Sequence, residues 1–203
     1  LVAVGKTFPA DAILAAYALG VRHFGENRVE EASEKIPTVN AQAKGITWHF
    51  IGHLQSRKVK DAAPLFDFVH SIDSVSLARK LDAQAAALGT LRAIPILLEV
   101  NVSGEETKYG FAPAPRENFF AAVRQILELG HLDAQGLMTI APIVQPAEQA
   151  RPRFTFRALR ELRDELRRRF PDRAWQHLSM GMTDDFEAAI AEYKKLGATV
   201  VEI

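Results

Sequence analysis

Residues 1–20 read LVAVGKTFPADAILAAYALG, and this stretch decides the fold. It opens with a continuous apolar run that indicates a buried strand over 2–6, which Lys6 closes. An alanine-rich helical pattern follows over 10–19 and stops at Gly20, a residue type that commonly ends helices. A strand followed at once by a helix is the repeating unit of an α/β protein, so further copies are expected along the chain.

Seven more strand-like runs follow this unit, over 21–26, 47–52, 67–72, 94–101, 134–140, 175–181 and 198–203. Most are continuously apolar, as parallel strands covered on both faces should be. Helical patterns lie between them, including 74–88, 154–169 and 184–196. This alternation predicts one α/β domain over 1–203, a (β/α)8 TIM barrel that lacks its last helix. A doubly wound open sheet is the alternative. The proline-containing stretch 141–153 is predicted to be a lid or surface loop.

Composition limits the partners of this chain. It has 203 residues, 48% of them hydrophobic, with 25 basic residues against 25 acidic ones and no cysteine. A balanced charge favours neither nucleic acid nor a membrane surface, and the lack of cysteine excludes disulfides and thiolate metal sites. No segment approaches the roughly 20 apolar residues that cross a bilayer.

Lys6 is the leading candidate for chemistry. An amine at the end of a buried strand is partly desolvated, which favours its uncharged form, and an uncharged amine can attack a carbonyl to form a Schiff base. A lysine whose stem lies on the strand and whose head reaches water is the plainer interpretation. Polar or small residues also follow other strands, among them Asn27, Ser179 and Gly181. In a barrel these ends surround one cavity.

Three other patterns have structural interpretations. His49 and His53 are four residues apart, but on a strand and its following loop this spacing does not bring two rings together, so no metal site is expected. Asp184 and Glu187 resemble a capping box, and Asp184 and Asp185 suit a helix start. The run Arg167-Arg168-Arg169 is predicted to lie on a solvated helix face beside acidic residues.

Specific motifs along the whole chain resemble one family, the pyridoxal-phosphate homeostasis proteins with the alanine racemase N-terminal-domain fold. The matching segments are Val4-Gly5-Lys6-Thr7, Phe24-Gly25-Glu26-Asn27, Trp48-His49-Phe50-Ile51-Gly52, Asn101-Val102-Ser103, Lys108-x-Gly110, Gly136-Leu137-Met138 and Leu178-Ser179-Met180-Gly181-Met182.

This resemblance implies that the chain binds pyridoxal 5′-phosphate (PLP) and takes part in its homeostasis or delivery in the cytoplasm, without established catalysis. It implies that Lys6 forms the Schiff base, that Ser179 and Gly181 help to hold the phosphate, and that Asn27 and Met138 line the cofactor cavity. It also implies that Lys108 is an accessory lysine on a mobile loop. No catalytic or metal-binding residue is expected. The expected partners are PLP and PLP-dependent apo-enzymes, and a monomer is expected.

The sequence departs from the family pattern at both ends, so a chain trimmed at both ends is expected. The family has a helix before the first strand and a Val-Arg-Ile-Gly-Thr segment at the last strand, where this chain reads Val201-Glu202-Ile203. By similarity Glu202 replaces an arginine that faces the cofactor, which predicts weaker PLP binding. Two alternatives stay open: a PLP-dependent amino-acid racemase, which would need a further catalytic domain, and a Schiff-base aldolase.

Overall fold

The computed structural model describes residues 1–89, 92–105, 107–142 and 150–194. Seven parallel strands form one curled sheet in the order β1 to β7, each strand hydrogen-bonded to the next along the chain. They are β1 (Ala3–Val4), β2 (His23–Glu26), β3 (Thr47–Phe50), β4 (Phe68–Ile72), β5 (Ile94–Glu99), β6 (Leu132–Met138) and β7 (His177–Ser179). All seven lie within predicted runs, apart from the first two residues of β6.

Helices connect the strands and cover the sheet. They are α1 (Ala10–Ala18), α2 (Val29–Asn40), α3 (Val59–Ala62) after a 3-10 turn at Ser56–Lys58, α4 (Val75–Ala87), α5 (Arg116–Leu127), α6 (Ala150–Arg169) and α7 (Phe186–Lys194). The predicted βα alternation is therefore present throughout the described residues, and it makes every sheet neighbour parallel.

The central strands are buried because both of their faces are covered. All six residues of β5 are buried. The inner face of the curled sheet carries alternate side chains, such as His49, His70 and Leu97, around a cavity of approximately 470 Å³ near the amino ends of the strands. The outer face packs against the helices. Burial of apolar surface at about 25 cal/mol per Å² makes this two-sided packing the main source of stability.

Helix α4 begins and ends at residues that commonly mark helix boundaries. Helix α4 begins after Ser74, whose Oγ accepts a hydrogen bond of 3.2 Å from the backbone N–H of Leu77. Its buried face includes Leu77, Leu81 and Ala85, and Gly89 follows it with a φ of 65°. A residue in this left-handed conformation ends a helix with least cost when it is glycine.

Two predicted boundaries are wrong. The predicted loop 141–153 gives way to α6 at Ala150, and Pro152 lies in its first turn, where a missing N–H breaks no helical bond. Helix α7 begins at Phe186 rather than at 184, and the Asp185 carboxylate accepts a hydrogen bond of 2.6 Å from the N–H of Met182. The capping box at Asp184 and Glu187 is therefore not formed.

The predicted eighth strand, over 198–203, which would close the sheet into a barrel, lies outside the described residues. Glu202 lies outside them too. Within the described ranges, no helix is both long enough and apolar enough to cross a membrane.

Candidate functional site

Lys6 follows β1 in a turn at the carboxyl edge of the sheet, and its side chain is exposed. The expected partial desolvation of this amine is therefore wrong. Burial begins one residue earlier, at Gly5, whose N–H donates a hydrogen bond of 2.9 Å to the Gly25 carbonyl of β2. The amine thus stands in solvent on a backbone that is anchored to the sheet.

Three charged side chains hold the peptide groups on both sides of Lys6, and we call Glu26, Glu31 and Lys35 the clamp. Lys35 Nζ donates hydrogen bonds to the Gly5 carbonyl at 2.7 Å, to Glu26 Oε1 at 2.8 Å and to Glu31 Oε1 at 3.0 Å. On the other side, the N–H of Thr7 donates to Glu31 Oε1 at 2.6 Å. Both flanks of Lys6 are therefore fixed by helix α2.

The clamp accompanies a left-handed backbone conformation at Thr7 and contains a buried charge pair. Thr7 has a φ of 66°, a left-handed conformation that costs a β-branched residue about 1–2 kcal/mol. The Glu26 side chain is 0% exposed and that of Lys35 is 7% exposed. Burial raises the pKa of Glu26, and the hydrogen bond from Lys35 opposes that rise. Lys35 donates to all three of the acceptors around it, which satisfies an ammonium group fully.

The predicted phosphate-binding residues lie at the opposite side of the described sheet. Ser179 ends β7 and is buried, and it pairs across the sheet with Met138 at the end of β6. Gly181 follows with a φ of 93°, which only glycine adopts readily. Ser179 and Gly181 therefore form a buried polar turn at the carboxyl edge. Met138 and Ser179 share one end of the described sheet, and Lys6 and Asn27 share the other.

Asn27 follows β2 and is half-buried. A Cβ on Gly52, the second residue after β3, would lie 2.2 Å from the Asn27 carbonyl oxygen. Only glycine permits this approach, which brings the ends of β2 and β3 together and fixes the Asn27 backbone.

A chain of hydrogen bonds runs through the inside of the sheet to Ser179. His23 Nδ1 lies 3.0 Å from His49 Nε2, His49 Nδ1 lies 2.8 Å from His70 Nε2, and His70 Nδ1 lies 3.1 Å from Ser179 Oγ. We call these four residues the histidine chain. Burial lowers the pKa of His49 to about 2, with the neighbouring histidines adding to the effect, so this ring is neutral at ordinary pH. His23 is exposed, whereas His49, His70 and Ser179 are buried.

Glu99 ends β5 at the same edge and is buried, and its Oε2 atom has no hydrogen-bond partner among the described residues. Burial and the nearby Asp73 raise the pKa of Glu99 to about 7. The Ser71 hydroxyl on the neighbouring strand β4 also lacks a partner within the described ranges. Buried polar atoms in this state are uncommon in native proteins and suit contact with a polar ligand.

Lys108, the predicted accessory lysine, is held by its neighbours. Its Nζ donates to the carbonyls of Ile140 at 3.2 Å and Ala141 at 2.8 Å, and it pairs with Glu105 at 2.9 Å. With Glu99 and Asn101 it lines a small cavity of approximately 120 Å³. Lys108 therefore links the segment after β5 to the segment after β6.

The remaining polar residues of the sequence analysis have separate partners in the structure. His53 pairs with Asp73 at 3.5 Å and stacks on Tyr109, while His49 belongs to the histidine chain, so the two rings have different partners. No cluster of potential metal ligands occurs among the residues that the structure describes. Arg169 pairs with Glu117 of α5, in keeping with a charged helix surface.

Sequence reasoning missed the clamp and the histidine chain. Lys35 reads as an ordinary charged helix residue, so no sequence signal marks its burial. The histidine chain did have a signal, because His23, His49, His70 and Ser179 each fall in a different predicted strand. Parity along those strands places such side chains on one face.

The fold and the strand-end lysine define a class. The chain belongs to the family described as alanine racemase, N-terminal domain, whose model matches residues 1–199. Within that class it belongs with the pyridoxal phosphate homeostasis proteins. The protein of that name from Aquifex aeolicus is 42% identical over 203 residues, which is all of this chain and 83% of the relative.

Solved structures agree with this assignment. PipY of Synechococcus elongatus without PLP superposes with a TM-score of 0.88 at 39% identity, over 98% of this chain and 87% of that one. The structure of PipY with PLP bound gives a TM-score of 0.84 at 38% identity, with the same coverage of both chains.

Proposed function

We propose that this chain takes part in PLP homeostasis, as the names of its relatives state, and that it binds PLP as a Schiff base on Lys6 and delivers it without turnover of its own. The observation that carries the proposal is the clamp. Fixed peptide groups on both sides of an exposed lysine leave its amine accessible while its backbone stays in place. Such preorganisation is what a reversible covalent binding site requires.

The described residues fit the chemistry of this cofactor. Lys6 offers the amine for the aldehyde. The Ser179 hydroxyl and the left-handed turn at Gly181 suit a phosphate, and the unpartnered Glu99 and Ser71 atoms suit polar groups of a ring. The cofactor, when bound, supplies an electrophilic carbonyl and an electron-withdrawing ring. Asn27 and Met138 are proposed to line the same cavity.

The proposal requires that Lys6 and Ser179, which follow strands at opposite ends of the described sheet, face one cavity. We propose that the sheet closes as a (β/α)8 barrel through residues 198–203 and that 1–203 form a single PLP-binding domain. A cytoplasmic monomer that passes PLP to apo-enzymes completes the proposal, with Lys108 as the accessory lysine.

The test is covalent trapping. The protein is incubated with PLP, reduced with borohydride and digested, and the labelled peptide is identified by mass spectrometry. We expect the label on Lys6. The Lys6→Ala variant should lose the visible absorbance band and keep its stability, since this side chain is exposed, while Lys80→Ala on the exposed face of α4 should behave as the parent. A label confined to Lys58 or Lys108 would overturn the assignment.

The same experiment separates the alternatives. A Schiff-base aldolase has no visible band with PLP, and its lysine would be trapped by a sugar phosphate instead. A racemase would exchange the α-proton of alanine in deuterated water once PLP is bound. We expect no such exchange, because racemisation conventionally uses acid and base groups on both ring faces.

A further inference from the structure

The histidine chain connects Ser179 to an exposed imidazole through three hydrogen bonds, and it has a direction. Each neutral imidazole carries one N–H and one acceptor nitrogen. His49 uses both of its nitrogens within the chain, at 3.0 Å to His23 and 2.8 Å to His70. Since burial lowers its pKa to about 2, His49 donates one hydrogen bond and accepts the other.

When all three rings are neutral, two arrangements satisfy all three bonds. In the inward arrangement each histidine donates toward Ser179, so the Ser179 oxygen accepts from His70 and its own hydrogen is free to donate to a ligand. In the outward arrangement Ser179 donates to His70, and its oxygen presents only lone pairs. An anion at Ser179 needs a donor and therefore requires the inward arrangement.

Protonation at the exposed end selects between these arrangements. Neutral His23 fits both. When it gains one proton, both of its ring nitrogens become donors, so His23 Nδ1 must donate to His49, and only the inward arrangement keeps every bond. The proton comes from solvent and stays on His23, while the three bonds keep one hydrogen each.

We propose that His23, His49 and His70 are positioning residues that orient the Ser179 hydroxyl toward the cofactor phosphate and couple anion binding there to proton uptake at His23. This inference rests on the proposed function, because it takes Ser179 to hold the phosphate. In this proposal the histidine chain transmits the direction of hydrogen bonding from His23 to Ser179 and is not a second binding site.

Other titratable and charged groups lie near His23, and their effects must be distinguished from that of the histidine chain. Burial lowers the pKa of His23 and the amino terminus adds to that effect, while burial and His70 lower the pKa of His177. The described charged and titratable groups around the same cavity are Asp67, Arg92, His177 and the amino terminus at Leu1, beside His49 and His70 of the chain. The bonds between His23 and Ser179 run through His49 and His70.

An anion bound at Ser179 stabilises the inward arrangement, so anion binding raises the pKa of His23. Affinity is then greatest below the pKa of free His23 and falls as pH rises through the pKa of the bound state. The affinity falls by a factor equal to the inverse of one fraction, that of the molecules with neutral His23 that are in the inward arrangement. It is about twofold for equal populations and about tenfold if one neutral chain in ten is inward.

The experiment uses sulfate as the probe, since its charge is constant between pH 5 and pH 8. Sulfate affinity of the full chain is measured by calorimetry across this range, and the His23 titration is followed by NMR with and without sulfate, with its signal assigned from His23→Gln. We expect sulfate to raise the pKa of His23 and its affinity to drop about twofold to tenfold with rising pH.

The variants separate a coupled chain from simple attraction between charges. His49→Phe keeps the charge of His23 but cuts the chain, and Ser179→Ala removes its end without touching the histidines. We expect both to bind sulfate with little pH dependence and to leave the His23 titration unmoved by sulfate, whereas His131→Gln, on the surface, should match the parent. An unchanged response in Ser179→Ala overturns the coupling even if His49→Phe does not fold.

Failure of the coupling is distinguishable from failure of the proposed function. A borohydride label on Lys6 together with pH-independent sulfate binding would overturn the coupling and leave PLP binding intact. The absence of both the label and sulfate binding would overturn both. Sulfate binding that Ser179→Ala does not weaken would remove Ser179 from the anion site.

Discussion

The two faces of the sheet keep buried polar side chains in different ways. On the outer face, the clamp pairs the fully buried Glu26 with Lys35 at 2.8 Å, because helix α2 can present a long cation to the strand. On the inner face, the histidine chain uses imidazole rings and a hydroxyl. A helix supplies a counter-charge on the outer face, whereas the inner face of the sheet joins groups that can both donate and accept hydrogen bonds.

The largest effect is expected from breaking the clamp. Lys35→Met removes the cation and leaves a buried carboxylate unpaired, so we expect a loss of about 3–5 kcal/mol in the free energy of unfolding at pH 7. The loss should shrink toward pH 5, because protonation neutralises Glu26. Urea unfolding at both pH values measures this.

The matched control is Lys58→Met. Lys58 pairs with the exposed Glu30, and pairs of this kind contribute about 0–1 kcal/mol. Equal losses in the two lysine variants would show that the clamp is not a buried charge pair. The double variant Glu26→Gln with Lys35→Met should recover part of the lost stability, since it removes both charges.

Glu99 sharpens the comparison between paired and unpaired buried groups. Glu26 is a buried acid paired with Lys35, whereas Glu99 is a buried acid with no such cation among the described residues. Its pKa is raised from 4.5 to about 7, so the folded state binds its proton more tightly than the unfolded state does. Stability is then highest below the unfolded pKa and falls as pH rises toward 7, by about 3 kcal/mol in all. Glu99→Gln should abolish this decline and be the more stable protein at pH 8.

Urea unfolding of the apo-protein at several pH values between 4.5 and 8 tests the Glu99 prediction. Glu117→Gln is the control, because Glu117 is exposed and pairs with Arg169 on the surface. If the parent and Glu99→Gln lose stability in parallel as pH rises, Glu99 is not the group responsible.

The histidine chain should give the opposite pH dependence. The pKa of His49 is lowered from 6.5 to about 2, so its contribution is fully present above 6.5 and is lost as pH falls, when the unfolded state gains a proton that the folded state excludes. By pH 5 the loss is about 2 kcal/mol. His49→Gln cannot titrate, and its stability between pH 7.5 and pH 5 should fall by correspondingly less.

His131→Gln is the matched control for this prediction, since His131 is an exposed histidine beside Asp82. The measurement is the difference in unfolding free energy between the two pH values, which cancels any constant cost of the substitution. A parent-like difference in His49→Gln would show that this ring protonates in the folded state.

The sequence predicted the fold and the strand-end residues better than it predicted the contacts that hold these residues, namely the clamp and the histidine chain. Continuous apolar runs and glycines after helices located the βα units, because both signals are local. Burial of Lys35 was not predictable, since it depends on which side of α2 faces β2 and on the turn between them. The histidine chain could have been predicted from strand parity, although the distances that join its rings depend on how the sheet curls.

The smallest effect is expected at Thr7, where the clamp holds a left-handed residue. Thr7→Gly removes about 1–2 kcal/mol of backbone strain and adds part of that back as lost chain entropy, so stability should rise by up to about 1 kcal/mol. The same change also frees the Lys6 backbone, so PLP affinity, followed by the visible band, should fall while stability rises. Thr38→Gly within α2 is the control with the opposite sign, costing about 0.3–0.5 kcal/mol because glycine is less favourable than threonine in a helix. If Thr7→Gly destabilises the protein as much as Thr38→Gly does, the φ of 66° at Thr7 stores no strain, and the clamp holds Lys6 without cost to the backbone.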